Sequence, residues 1–186
     1  LSELVASDAG KSALKQGDLA PDFTLLSSDG YSVSLYELLK KQPVIISFFR
    51  GNWCPFCMAE LEHYQASLTD KDVIKAKFLA ISPQTQKYNL MLESERGIHL
   101  TILSDEHNHV AQQYGLVFTL PENIRGIYKN IGADLTEFNS DDSFTLPIPA
   151  TYLVGMDKKI IFSAVNVNYM QRADVCEIKS ALQANE

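Results

Sequence analysis

The chain has 186 residues, 46% of them hydrophobic and 21% charged, a balance that fits one globular domain with a sizeable core. Its formal net charge of −7 argues against a nucleic-acid partner held by a basic surface, and against an anionic membrane surface. The longest apolar run, Val44 to Phe49, has the length of a strand and is too short to span a bilayer.

The opening stretch LSELVASDAGKSALKQG lacks the basic start and apolar centre of a secretory signal, which favours a cytoplasmic setting. Residues 2–15 read as a short polar helix within a peripheral segment, 1–18. Phe23 and Leu25 alternate as in a strand, Asp29-Gly30 marks a turn, and a second short strand follows near Val33. Leu35 to Lys40 predicts a helical turn. Pro43 to Phe49 is a continuous apolar run, which predicts a central strand buried on both faces.

From Pro55 to about Leu68 the period becomes helical. Cys57, Leu61, Tyr64 and Leu68 form the apolar stripe, with Glu60, Glu62 and Gln65 between them. The alternation then repeats. Strands are expected at Lys77–Ser82 and His99–Leu103, and helices at Gln84–Glu95 and Val110–Tyr114. Residues 121–146 break the rhythm with an amphipathic helix and a polar loop, and read as an insertion. Ala150–Val154 and Ile160–Val165 are strands joined by a hairpin-like turn. The last helix starts at Asp174, where Asp-x-x-Glu177 forms a capping box ahead of the stripe Val175, Ile178 and Leu182. The order predicts one α/β domain over 1–186, with a mixed central sheet and helices on both faces.

Three cysteines make no disulfide framework, but one close pair suggests a specific use. With Cys54 at the helix N-cap, Pro55 takes the first helical position and Cys57 the third, so the two thiols lie close enough to join. The unpaired amides and positive dipole of a helix N-terminus favour a thiolate, which is the nucleophilic form. Arg50 adds positive charge if it turns back toward the pair, whereas Glu60 and Glu62 oppose the thiolate if they face it. Trp53 is read two ways, as a substrate-contacting aromatic or as packing beside the pair. A zinc site needs about four ligands, and the remaining Cys176 and scattered histidines offer no second pair, so no metal or cofactor is expected. His107 and His109 read as a solvated loop. Cys176 reads as a partly buried inert thiol, and Arg125 and Tyr128 as an ordinary solvated helix face.

The segments APDFTL, FFRGNWCPFCMAEL, ISPQT, YGLVF and LPIPATYLV resemble, in order and spacing, the alkyl hydroperoxide reductase/thiol-specific antioxidant (peroxiredoxin) family. The resemblance is to a C-x-x-C-containing branch, and it covers nearly all of the chain. It implies a thioredoxin-like fold with an N-terminal extension and one helical insertion. The family pattern P-x-x-x-T-x-x-C, followed by glutamate, puts its attacking cysteine at Cys57, counted back from Glu60. Cys54 then stands where the family has Thr or Ser, Arg50 where it has Pro, and Pro149 where an arginine is expected. Arg50 or Arg125 is a candidate replacement for that missing charge. In thioredoxin-like folds a cis proline faces the cysteines, which implies a cis Ile148–Pro149 bond.

The function so implied is a thiol-based oxidoreductase that cycles Cys54 and Cys57 between dithiol and disulfide. As a peroxidase it reduces hydroperoxides, with Cys57 attacking, Cys54 resolving, and a thioredoxin- or glutathione-type thiol restoring the pair. As a thiol–disulfide oxidoreductase it acts on a protein disulfide with Cys54 as nucleophile. A non-enzymatic redox sensor is the reading of a different class.

Overall fold

The computed structural model describes residues 9–68 and 75–185. Most of the segment expected as an N-terminal helix falls at residues 1–8, outside the described residues; Ala9–Ser12 form turns. Two short strands, β1 (Thr24–Ser27) and β2 (Ser32–Ser34), pair antiparallel across the Asp29-Gly30 turn. Helix α1 (Leu35–Leu39) follows at once, because the Ser34 hydroxyl caps the Glu37 N–H. Then come β3 (Val44–Phe48), α2 (Pro55–Leu68), β4 (Lys77–Ser82), α3 (Gln86–Arg96), β5 (Thr101–Ser104) and α4 (His109–Gln113). The chain continues through β6 (Val117–Thr119), α5 (Glu122–Asn130), α6 (Leu135–Phe138), β7 (Thr145–Pro147), β8 (Ala150–Val154), β9 (Ile160–Val165) and α7 (Val175–Gln183).

Seven strands form one mixed sheet in the order β2-β1-β5-β4-β3-β8-β9. β3 lies parallel to β4 and antiparallel to β8, with Phe48 opposite Ala150. All five residues of β3 are buried, as its continuous apolar run predicts. The pleat sends them to two separate layers. Val44, Ile46 and Phe48 meet Leu35 and Leu39 of α1 and Val110 and Ala111 of α4. Ile45 and Phe49 meet Cys57, Leu61 and Tyr64 of α2 and Ile178 and Leu182 of α7. A third, smaller core gathers Leu120, Leu135 and Leu146, with Phe118, Ile124, Tyr128, Phe144 and Trp53 packed against it.

Three expectations change. The Ile148–Pro149 bond is trans, and no cis peptide bond occurs among the described residues. This stretch runs extended from β7 into β8: the Ile148 N–H donates to the Leu116 carbonyl at 2.7 Å, and the Pro149 carbonyl accepts from the Asn166 N–H at 3.1 Å. That path needs no reversal, and trans is favoured by about 0.5–1 kcal/mol before proline. Second, β6 and β7 pair as an antiparallel ribbon beneath α5 and α6, where only one helix and a loop were expected. Third, α3 starts at Gln86 and β5 at Thr101, each two residues later than expected. No helix among the described residues is long and apolar enough to cross a membrane.

Candidate active site

The site forms at the carboxyl end of β3, where the chain leaves the sheet through residues 50–53 and enters α2. A buried hydrogen-bond chain fixes this loop. Asn89 on α3 accepts from Ser82 and Gln84 at 2.9 Å each and donates to Ser104 at 2.9 Å. The anchored Gln84 carboxamide oxygen accepts the Asn52 N–H at 2.8 Å. Gly51 is required here. Its φ is +155°, and a Cβ would meet Trp53 Nε1 at 2.4 Å and Gln84 Oε1 at 2.8 Å.

Cys54 immediately precedes α2, and its carbonyl accepts the Met58 N–H at 3.0 Å, which makes it the N-cap. Cys54 and Cys57 are both unbridged and fully buried, at 0% exposure. Arg50 Nη2 donates to the Cys54 sulfur at 3.0 Å, and the Cys57 side chain and backbone N–H both favour its charged form. The bond from the Cys57 thiol, opposed by burial and aided by the Arg50 charge, lowers the Cys54 thiol to about 5. Burial, and then the neighbouring Cys54, push the Cys57 thiol well above the usual range. One thiolate and one thiol thus share a proton beside a guanidinium.

Arg50 turns inward and is 4% exposed. Its Nη1 donates to the Tyr128 hydroxyl at 3.1 Å, and its plane lies 4.1 Å from the Tyr169 ring centre and 5.1 Å from that of Trp53. Trp53 meets Tyr128 edge-on at 5.6 Å, and it also packs against the α2 layer and the small third core. Tyr128 therefore faces the site, which corrects its reading as part of a solvated helix face. Its neighbour Arg125 does not reach the sulfurs: its Nε donates to the Leu120 carbonyl at 3.0 Å, and its guanidinium stacks on Phe144. Pro55 occupies the first position of α2. Pro149 is buried one residue before Ala150, at the same end of the sheet as Arg50.

A second cation was not foreseen. Arg172, just before α7, donates from Nη2 to Cys57 Sγ at 3.6 Å and pairs with Glu60, Nε to Oε2, at 3.0 Å. That contact is a charge pair without hydrogen-bond alignment. The other Glu60 oxygen accepts from the Tyr64 hydroxyl, itself 3.0 Å from Thr151 Oγ1. Burial pushes Glu60 up to about 7, although Arg172 and Tyr64 both favour its charged form. Glu60 follows Cys57 by three positions and precedes Tyr64 by four, so same-face spacing was the available signal for it. Glu62 and His63 point to solvent. Cys176 is exposed, which corrects its expected partial burial, because it falls beside the Val175–Ile178 stripe. His107 and His109 are also exposed. Among the described residues no cluster of three or more ligand-type side chains could hold a metal ion.

The AhpC/TSA family model matches residues 16–163. A Helicobacter pylori protein, provisionally named peroxiredoxin bcp, is 32% identical over 101 residues, covering 54% of this chain and 66% of that protein. The chloroplastic peroxiredoxin Q of Oryza sativa subsp. japonica is 28% identical over 103 residues, covering 55% of this chain and 47% of that protein. The chain thus matches 66% and 47% of the lengths of these two relatives. Among solved structures, the peroxidoxin BcpB of Mycobacterium tuberculosis superposes with a TM-score of 0.71 at 20% identity, covering 93% of this chain and 99% of that one.

Proposed function

The chain belongs to the AhpC/TSA family, and from that premise we propose that it is a thiol-dependent peroxidase that reduces a hydroperoxide with the Cys54/Cys57 pair. The observation that carries this reading is a thiolate and a thiol side by side, both fully buried, with a guanidinium 3.0 Å from the thiolate. Full burial favours a small hydroperoxide as the first reactant, since it needs less opening of the site than a protein disulfide does.

Cys54 attacks first in this reading. Its thiolate forms an S–O bond to the peroxide as the O–O bond breaks, which oxidises the sulfur to a sulfenic acid and reduces the peroxide to an alcohol or water. The departing oxygen takes the Cys57 proton. The resulting Cys57 thiolate displaces hydroxide from the sulfenic sulfur, and one solvent proton completes a water molecule. An external dithiol of the thioredoxin or glutathione type then reduces the disulfide. The family pattern would give the attack to Cys57. Assignment to Cys54 rests on the closer cation, 3.0 Å from Cys54 against 3.6 Å from Cys57, and on the Cys57 proton.

The test uses Cys54→Ser and Cys57→Ser with rapid peroxide mixing and sulfenic-acid trapping. Cys57→Ser is expected to form a sulfenic acid quickly at Cys54, and Cys54→Ser to react no faster than a free thiol. The opposite pattern would move the attack to Cys57. If neither variant nor the parent outpaces a free thiol, while the parent exchanges with a model disulfide, the peroxidase reading fails in favour of disulfide exchange.

A further inference from the structure

A cavity of about 170 Å³ lies between α5 and α6, within the segment that reads in sequence as an insertion. Its floor is apolar: Leu120, Ala133 and Leu135 are each at most 2% exposed, and Phe144 adds a wall. Most polar side chains around it are already partnered. The Tyr128 hydroxyl accepts from Arg50 at 3.1 Å, Lys129 pairs with Asp134 at 2.8 Å, and the Thr136 hydroxyl donates to Asp134 at 2.7 Å. Arg125 is the exception. Its Nε donates to the Leu120 carbonyl and its guanidinium carbon lies 4.2 Å from the Phe144 ring centre, but its two Nη groups make no hydrogen bond among the described residues. Gly126, in the middle of α5, also lines the cavity. Glycine weakens a helix interior relative to alanine. This position does not require it, since its φ is negative and a Cβ would meet no atom within 4 Å. Helix stability therefore does not account for the glycine, whereas an unobstructed mouth to the cavity does.

Size and charge together select a ligand class. An apolar cavity of about 150 Å³ takes up benzene, so one six-membered ring fits here. Lys129 and Asp134 cancel each other's charge, which leaves Arg125 to make the rim positive in a chain of net charge −7. The fork of an unspent guanidinium matches a carboxylate. We propose that this cavity binds a small aromatic carboxylate, with the ring against Leu120, Leu135 and Phe144 and the carboxylate on the Arg125 Nη groups. Neither cysteine lines the cavity, so the site does not depend on the peroxidase reading. Tyr128 stands between the two places. It lines the cavity, bonds to Arg50 and meets Trp53 edge-on at 5.6 Å. Trp53 is the single tryptophan of the chain, and its emission therefore reports on occupancy.

The experiment titrates the whole chain with benzoate, benzamide and acetate, following Trp53 emission and amide chemical shifts. Benzoate carries both ring and charge, benzamide the ring without the charge, and acetate the charge without the ring. Benzoate is expected to saturate with a Kd of about 1 mM or tighter, the range open to a ligand of this size. Benzamide should bind about tenfold more weakly, because hydrogen bonds to a charged group are the stronger ones. Acetate should not saturate. The shifts are expected around Leu120, α5, α6 and Phe144. Arg125→Gln should bring benzoate down to the affinity of benzamide. Gly126→Leu at the mouth and Ala133→Leu at the floor should each weaken benzoate by about tenfold or more through lost space. Leucine is a better helix former than glycine, so the first of these fillings does not weaken α5. A parent that does not saturate with benzoate, or binding that both fillings leave unchanged, overturns the site. Benzamide binding as tightly as benzoate, or Arg125→Gln without effect, overturns the carboxylate class.

Discussion

Cys54 and Cys57 carry the same thiol three positions apart, and their surroundings separate them. Cys54 accepts a hydrogen bond from Arg50 and has its charge favoured by the Cys57 side chain and backbone, whereas burial and the neighbouring Cys54 make Cys57 keep its proton. Alkylation of Cys54 by iodoacetamide is therefore expected to be flat at neutral pH and to fall about tenfold per pH unit below about 5. A rate that instead rises through the usual thiol range would show an unperturbed Cys54. Stability carries the same sign. A lowered folded-state pKa stabilises the reduced protein above the unfolded thiol value, and that contribution is lost as pH falls through about 5. Arg172 makes the opposite case through Glu60. Replacing it in Arg172→Met removes a group that lowers the Glu60 pKa, so this already raised carboxyl rises further. A raised group stabilises at low pH and loses that contribution as pH climbs through its folded value. The Tm deficit of Arg172→Met against the parent should thus widen between about pH 6 and about pH 8. At this scale the cysteine pair was legible, because helix-start chemistry is local in sequence. Arg172 was not: 115 positions separate it from Cys57, and no local pattern ties the two.

Elements with a strong period were read correctly from sequence. α2 begins at Pro55 and ends at Leu68, β8 and β9 match to the residue, and Asp174 caps α7 by accepting the Cys176 N–H at 2.8 Å. The β6–β7 ribbon was missed because three residues per strand are too few to display alternation. Helix α5 was recognised as amphipathic, but sequence could not say which face meets the site. Tyr128 supplies that answer, since it ties α5 to Arg50 and Trp53. Tyr128→Phe should leave the ring packing intact and cost about 1 kcal/mol by losing one hydrogen bond. Amide exchange should quicken across Glu122–Asn130 and stay unchanged in β3, whereas a uniform change would show that Tyr128 acts on global stability alone.

The whole molecule is a sheet between two apolar layers, and β3 is the strand both layers share. Ile45 belongs to the α2–α7 side and Ile46 to the α1–α4 side, although they are consecutive in sequence. Ile45→Val and Ile46→Val should each cost about 0.5–1.5 kcal/mol in denaturant unfolding. Their effects should add in the double variant within about 0.5 kcal/mol, since they share no side-chain partner. A larger departure would reveal coupling through the backbone of β3. The two-faced burial of this strand was legible in sequence as an unbroken apolar run. The third core around Leu120, Leu135 and Leu146 was not, because its residues come from segments whose contact depends on the ribbon.

The buried guanidinium–thiolate contact at 3.0 Å also sets the direction of an electrochemical bias. Forming the disulfide removes the negative charge and leaves Arg50 enclosed beside a neutral sulfur. The attraction therefore belongs to the dithiol alone and makes the disulfide a stronger electron acceptor. For this two-electron couple each tenfold preference for the reduced form raises the potential by about 30 mV. In the proposed cycle Arg50 thus acts on both halves: it favours the Cys54 thiolate, and it makes the oxidised pair easier for a reductant to reset.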